Sequence, residues 1–164
     1  MSKKIVITGG IGYIGTELCK IYSGISWNND IAVIDNRFIS ERVNQLRNWG
    51  IDFVHGDILD KDLVNKICGD ADVVHHLAGI TDVPRVKGES NDTQDAKIKL
   101  VAEKGTQNIL DAINDNCKIV FPSTHVVYEG IEKIQKDILE DEDTKPVLSY
   151  ANSKATNEKQ LKNS

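Results

Sequence analysis

What this sequence lacks narrows it first. Among its 164 residues lysine and arginine number 20 against 25 acids, for a formal charge of −5, and no segment gathers the basic stripe that nucleic acid or an anionic lipid surface requires. Cysteine is equally sparse. Cys19, Cys68 and Cys117 are odd in number and far apart, so no close pair exists from which a metal knuckle or a redox dithiol could be built. Their equal spacing is no repeat, because the neighbours Leu18 and Lys20, Ile67 and Gly69, Asn116 and Lys118 share nothing. All three read as buried or half-buried free thiols. The first apolar run, Ile5-Val6-Ile7, is too short for a signal peptide, and no stretch approaches a membrane span. Low-complexity tracts and domain linkers are also missing. The expectation is a cytoplasmic protein without nucleic-acid or membrane partners, forming a single domain over 1–164 that is long enough to bury a core.

What is present is an alternation. Strand-like runs at Ile5 to Ile7, Ile31 to Ile34, Asp52 to Val54, Val73 to Leu77 and Ile119 to Phe121 are separated by helical patterns at Gly12 to Ser23, Glu41 to Asn48, Lys61 to Ile67 and Thr93 to Asn114. Such alternation implies an α/β fold, a doubly wound parallel sheet with right-handed crossovers, in the order 3-2-1-4-5. Its ligand crevice falls where strand 1 meets strand 4. Gly24 to Asp30 reads as a turn-rich connection and Pro84 to Asp92 as a polar loop. The acidic segment Asp137 to Asp143 reads as a solvated loop rather than a metal site.

The stretch Thr8-Gly9-Gly10-Ile11-Gly12-Tyr13-Ile14-Gly15 joins the first strand to the first helix. Gly9 permits a sharp turn, Gly12 a close approach of backbone to a pyrophosphate, and Gly15 close packing of helix on strand. The start of the helix then favours an anion. Asp35 closes the second strand about twenty residues beyond Gly15, where a carboxylate can accept from both hydroxyls of an adenosine ribose and repel a 2′-phosphate. NAD is thus favoured over NADP, although the guanidinium of Arg37 could pair with that phosphate. At the ends of strands 3 and 4, Asp57 could hold the adenine amino group while Leu77, Ala78 and Gly79 form a wall small enough for the cofactor. His75 and His76 are adjacent, point to opposite faces and cannot both ligate one metal; they read as packing or capping residues, and no metal site is expected. Tyr150 and Lys154 lie four apart on one helical face. The ammonium there would stabilise a phenolate, lowering the tyrosine pKa so that it can exchange a proton with a substrate hydroxyl, with Thr124 hydrogen-bonding the same oxygen.

Together these residues resemble the extended short-chain dehydrogenase/reductase family, the NAD-dependent nucleotide-sugar epimerases and dehydratases, whose fold is a Rossmann fold. Thr8 to Gly15 looks like that family's glycine turn, Asp35-Asn36 like its ribose-binding pair, and Asp57-Ile58 like its adenine contact. His76-Leu77-Ala78-Gly79 is similar to its fourth-strand motif, and Gly105 to Leu110 to its long-helix signature. The resemblance implies Thr124, Tyr150 and Lys154 as catalytic residues. It implies a cofactor grip of Gly9, Gly12, Tyr13, Ile14, Gly15, Asp35, Asn36, Asp57, Ile58, Leu77, Ala78 and Gly79, completed by Tyr150 and Lys154. Sugar dehydratases of the family place Asp and Glu directly after the catalytic threonine, whereas this chain has His125 and Val126. The resemblance therefore favours a 4-epimerase-like or reductase-like reaction on a nucleotide-sugar: Tyr150 deprotonates a hydroxyl as NAD takes hydride from the same carbon, and the hydride returns to the other face of the ketone. A non-catalytic dinucleotide-binding module, or an inactive fragment, is the alternative.

Three departures from the family pattern bear on that choice. Ala102 stands where the long-helix signature begins with Asn, and Glu129 where glycine usually follows the Val-Tyr pair. The chain also stops at Ser164, whereas family members continue into further strands and a smaller substrate domain. The expectation is a cofactor-binding domain truncated before its substrate domain. Strand 5 would then be an open edge, so the chain should associate with itself or with a complementary C-terminal fragment. Light scattering on the purified chain should accordingly show association; a stable monomer would overturn it.

Overall fold

The computed structural model describes residues 2–25, 30–81, 91–132 and 137–164. The polar loop expected from Pro84 to Asp92 lies, through Ser90, outside them. Five strands, β1 (Lys4–Thr8), β2 (Asp30–Asp35), β3 (Asp52–His55), β4 (Val73–His76) and β5 (Lys118–Val120), form one sheet in the order β3-β2-β1-β4-β5. Every pairing is parallel, with Ile5 opposite Ile31 on one side and Val73 on the other. This is the doubly wound Rossmann topology. Because β1 is flanked on both edges and covered on both faces, it must be apolar at successive positions rather than alternating, and Ile5, Val6, Ile7 and Thr8 are all buried.

The helices α1 (Tyr13–Gly24), α2 (Ser40–Asn48), α3 (Lys61–Cys68) and α4 (Asp92–Ala112) supply the crossovers, and α5 (Ser149–Lys162) ends the chain. Asp60 caps α3 by accepting from the Leu63 N–H at 3.1 Å. One core cluster gathers Ile5, Ile7, Ile31 and Val33 from the strands with Cys19 of α1 and Leu46 of α2. The first three strands run up to one residue further at their ends than the sequence pattern, while β4 and β5 differ in other ways. β4 stops at His76 instead of Leu77, where the chain turns and the Leu77 N–H bonds the carbonyls of Thr8 and His75. β5 runs one residue earlier than expected, because Pro122 restrains Phe121 and has no N–H to offer a ladder.

Two compact units are distinguishable. The first comprises Met1–Gly79 with Gly105–Pro122, and so holds the whole sheet, α1 to α3 and the later part of α4. The second comprises Ile80–Lys104 with Ser123–Ser164, holding the earlier part of α4, a 3₁₀ turn at His125–Tyr128, and α5. Within this second unit α5 buries Ala151, Ser153, Ala155 and Asn157. It is pinned to α4 by side-chain amides: Asn157 Nδ2 donates to the Ala102 carbonyl at 3.0 Å, and Gln160 Nε2 to the Glu103 carbonyl at 3.1 Å.

Close backbone contact fixes the turn after β1. Gly9 has φ +69°, and a Cβ there would stand 2.8 Å from the Ala78 backbone. A Cβ on Gly15 would lie 2.6 Å from Gly10 Cα and 2.7 Å from the Gly9 and Gly10 carbonyl oxygens. Backbone cannot retreat as a side chain can. Gly15→Ala should therefore cost about 2–3 kcal/mol in urea unfolding. Gly24→Ala meets nothing within 4 Å and should stay within about 1 kcal/mol of wild type, on the stabilising side. Equal midpoints for the two variants would refute the contact argument.

Candidate functional site

In the first unit the expected cofactor residues converge on the turn between β1 and α1. Gly12 is the N-cap of α1 and has no side chain to cap it, so the first-turn N–H groups stay available to an anion. Tyr13 and Ile14 are 80% and 60% exposed, so their backbone borders open space rather than core. The turn is held from both sides. Ile11 N donates to Asp35 Oδ2 at 3.3 Å, while its carbonyl accepts from Arg42 Nη1. Gly9 N donates to the Ile34 carbonyl at 2.8 Å, tying the turn to the end of β2.

Asp35 is buried and carries several donors. Besides Ile11 N, its carboxylate accepts from Arg37 N at 3.0 Å, Arg37 Nε at 3.2 Å and Arg37 Nη2 at 3.2 Å. Asn36, exposed beside it, donates from Nδ2 to Asp57 Oδ2 at 2.9 Å, and Asp57 Oδ1 accepts from Leu59 N at 2.9 Å. Ile58 is buried beneath α4, where a Cβ on Gly105 would collide with its side chain. Leu77, Ala78 and Gly79 follow β4; Ala78 N donates to Thr8 Oγ1 at 3.1 Å, and Gly79 has nothing within 4 Å of where a Cβ would be. His75 and His76 pack on opposite faces. Tyr22 Oη lies 2.7 Å from His75 Nε2, whereas His76 spans Thr8 Oγ1 at 2.9 Å and Thr106 Oγ1 at 3.0 Å. Burial, with a smaller contribution from Lys118, holds the His75 imidazole below its usual pKa.

The second unit carries Thr124, Tyr150 and Lys154. Thr124 is the N-cap of the 3₁₀ turn, its hydroxyl accepting from Val126 N at 3.4 Å. Tyr150 and Lys154 sit one turn apart on α5, with Nζ 5.9 Å from the ring centroid. Their electrostatics depart from the sequence expectation. Burial pushes the Tyr150 phenol up, not down, and the same desolvation lowers the Lys154 ammonium to about 8. Desolvation acts on both, and it opposes charge on each.

Several residues hold these sites through bonds that the sequence alone does not place. Asn108 Nδ2 donates to the carbonyls of Ile58 at 2.9 Å and Leu59 at 3.2 Å, fixing the loop that presents Asp57. One oxygen of Glu129 accepts from Val147 N at 2.8 Å and Leu148 N at 2.6 Å, immediately ahead of α5. The departure at 129 thus anchors the entry to the helix bearing Tyr150. A polar residue beside Ile109 and Leu110 was the available clue to Asn108; nothing marked Arg42. The cysteines are free, and burial raises the thiol pKa of Cys19 and Cys68 to about 12. Among the described residues, no group of three or more His, Cys, Asp or Glu is placed to hold a metal ion, and no helix is long and apolar enough to cross a membrane.

Known proteins are similar to this chain in sequence and in fold. The CDP-paratose 2-epimerase of Salmonella typhi is 33% identical over 139 residues, which is 79% of this chain and 39% of that enzyme. Among solved structures, the UDP-N-acetylglucosamine 4-epimerase of Methanobrevibacter ruminantium M1, in complex with UDP-N-acetylmuramic acid, superposes with a TM-score of 0.81 at 28% identity, covering 99% of this chain and 50% of that one. The UDP-glucose 4-epimerase of Brucella ovis, in complex with NAD, gives 0.78 at 28% identity, covering 99% and 47%. The chain therefore spans about two-fifths to one half of the length of these relatives. The model of the 3-beta hydroxysteroid dehydrogenase/isomerase family matches residues 6–164. With its glycine turn, its acid-closed second strand and its nucleotide-sugar epimerase relatives, the chain belongs to that family, within the extended short-chain dehydrogenases/reductases.

Proposed function

We infer that this chain is the cofactor-binding portion of an NAD-dependent nucleotide-sugar epimerase. The observation that carries the reading is the bond from Ile11 N to Asp35 Oδ2, which joins the anion-binding turn to the ribose acceptor in one rigid piece. The uncapped start of α1 suits a pyrophosphate, and the open face at Gly79 leaves room beside the wall. Asp57 and Ile58 would meet the adenine. When bound, NAD supplies a reversible acceptor for hydride from a sugar carbon. Tyr150 would take the proton from the hydroxyl on that carbon and later return it, with the Thr124 hydroxyl donating to the same oxygen and Lys154 countering charge on the phenolate. A nucleotide-sugar is supported over other substrates by the relatives' substrates, and a 4-epimerase over a dehydratase by His125 and Val126.

One observation favours a second reading, a dinucleotide-binding module without turnover. A Tyr150 phenol raised by burial is a poor base at neutral pH unless bound groups change its surroundings. Two measurements separate the readings. Calorimetry should give saturable heat with NAD that Asp35→Ala weakens by about tenfold or more; no heat at ~1 mM NAD, the range of about −4 kcal/mol, would defeat both. Transient NADH absorbance with UDP-hexoses, absent in Tyr150→Phe, would select the enzyme.

Lys154 gives a pH signature independent of turnover. Its ammonium titrates near 8 in the fold against 10.5 for the ordinary side chain, so between those values the unfolded chain binds more protons than the native one. Stability from this group therefore rises with pH across that window, and the cost of burying the cation is in full force below it. Lys154→Met should raise the urea midpoint at pH 7, with an advantage that shrinks towards pH 10. A constant difference between the two proteins would rule out the depressed pKa.

A further inference from the structure

Asp35 is the group expected to take the adenosine ribose, and its acceptor positions are already engaged. A carboxylate offers about four such positions, two on each oxygen. Here Oδ1 accepts from Arg37 N and Nε, and Oδ2 from Ile11 N and Arg37 Nη2, at 3.0 to 3.3 Å. Two of these four donors are backbone groups fixed by the fold. The other two belong to one guanidinium whose side chain is 55% exposed, while the Asp35 side chain is 3% exposed. Withdrawing the fork therefore frees one position on each oxygen and leaves the backbone donors in place. A ribose 2′,3′-diol presents two donors side by side and needs that same pair of positions.

The guanidinium also lies in the cofactor's path. Arg37 Nη2 is 3.5 Å from where a Cβ on Gly12 would stand, on the bare face of the turn that approaches the pyrophosphate. We propose that Arg37 is a built-in surrogate for the adenosine ribose: it satisfies Asp35 until the cofactor displaces it, and then sets how the site discriminates between a plain and a 2′-phosphorylated dinucleotide. Displacement is offset because the ribose hydroxyls take over the two vacated positions on the buried carboxylate, while the half-exposed Arg37 side chain can turn its guanidinium into water. Once displaced, the guanidinium remains tethered two residues from Asp35. It pairs with a 2′-phosphate and offsets the repulsion that the carboxylate alone would impose. NAD affinity is thereby reduced by the competition, and NADP affinity is raised.

This inference rests on the cofactor reading, and calorimetry with both nucleotides distinguishes failure of the two. Wild type should bind NADP within about tenfold of NAD. Arg37→Leu should bind NAD up to about fivefold more tightly and NADP about tenfold or more weakly. Arg37→Lys, which keeps the charge but loses the fork, should gain NAD affinity as the leucine variant does while retaining most of its NADP affinity. Arg37 is exposed enough for both variants to fold, which a cooperative thermal transition would establish, with a lower midpoint expected for Arg37→Leu because Asp35 loses two donors. If NAD binds but the two affinities fail to move apart in Arg37→Leu, the surrogate role is wrong and the cofactor reading stands. If neither nucleotide binds to wild type or variant, both are wrong.

Discussion

Everything in the first unit depends on the backbone of the turn after β1 lying directly against neighbouring backbone. β1 is the central strand, so its end faces the end of β2 on one side and that of β4 on the other. Gly9 meets Ala78 and bonds the Ile34 carbonyl, while Gly15 brings α1 down onto Gly10. These contacts leave no side chain between strand, turn and helix. The helix start consequently lies at the switch point of the sheet with no side chain capping its first N–H groups, the arrangement that suits an anion. Substituting a side chain at Gly9 or Gly15 would displace the site before it displaced the core.

A buried polar link reinforces that placement. His76 puts one ring nitrogen opposite Thr8 and the other opposite Thr106, so a single side chain joins β1, β4 and α4. Thr8 also accepts from Ala78 N, which carries the link to the wall at Leu77 to Gly79. Hydrophobic contact alone would tolerate sliding of one strand along another. Hydrogen bonds at fixed distances do not, and a buried network is stable only when its members are matched. Asn108 extends the principle to the loop after β3, where one amide group serves two successive carbonyls.

The sheet order and the pairing of glycine turn with Asp35 were legible in the sequence because both are local: apolar runs of strand length, and a spacing set by one βαβ unit. What stayed hidden is long-range or solvational. Arg42 to Ile11, Asn108 to Ile58 and Glu129 to Val147 join positions apart in the chain, and the residues around one partner do not identify the other. Arg37 was legible as a group near Asp35, yet its engagement of both carboxylate oxygens became visible only with geometry. For Tyr150 the sequence gives the neighbouring lysine but not the desolvation, and desolvation decides the direction of the shift.

That shift sets the resting charge of the pair on α5. Tyr150 is driven towards its neutral phenol and Lys154 towards its neutral amine, so burial by itself stores the proton on the tyrosine and weakens the cation that should oppose a phenolate. A proton acceptor with this bias gains strength only when its surroundings become more polar or more positive. The helix is held in place by polar groups: amides of Asn157 and Gln160 fix it on the Ala102 and Glu103 carbonyls, and Glu129 fixes its entry. Polar pins of this kind constrain orientation more sharply than the small buried residues Ala151 and Ala155 could, since small side chains permit sliding. Rigid placement combined with desolvation leaves both groups with a disfavoured charged form, and any polar or positive group that came to lie beside them would shift that balance.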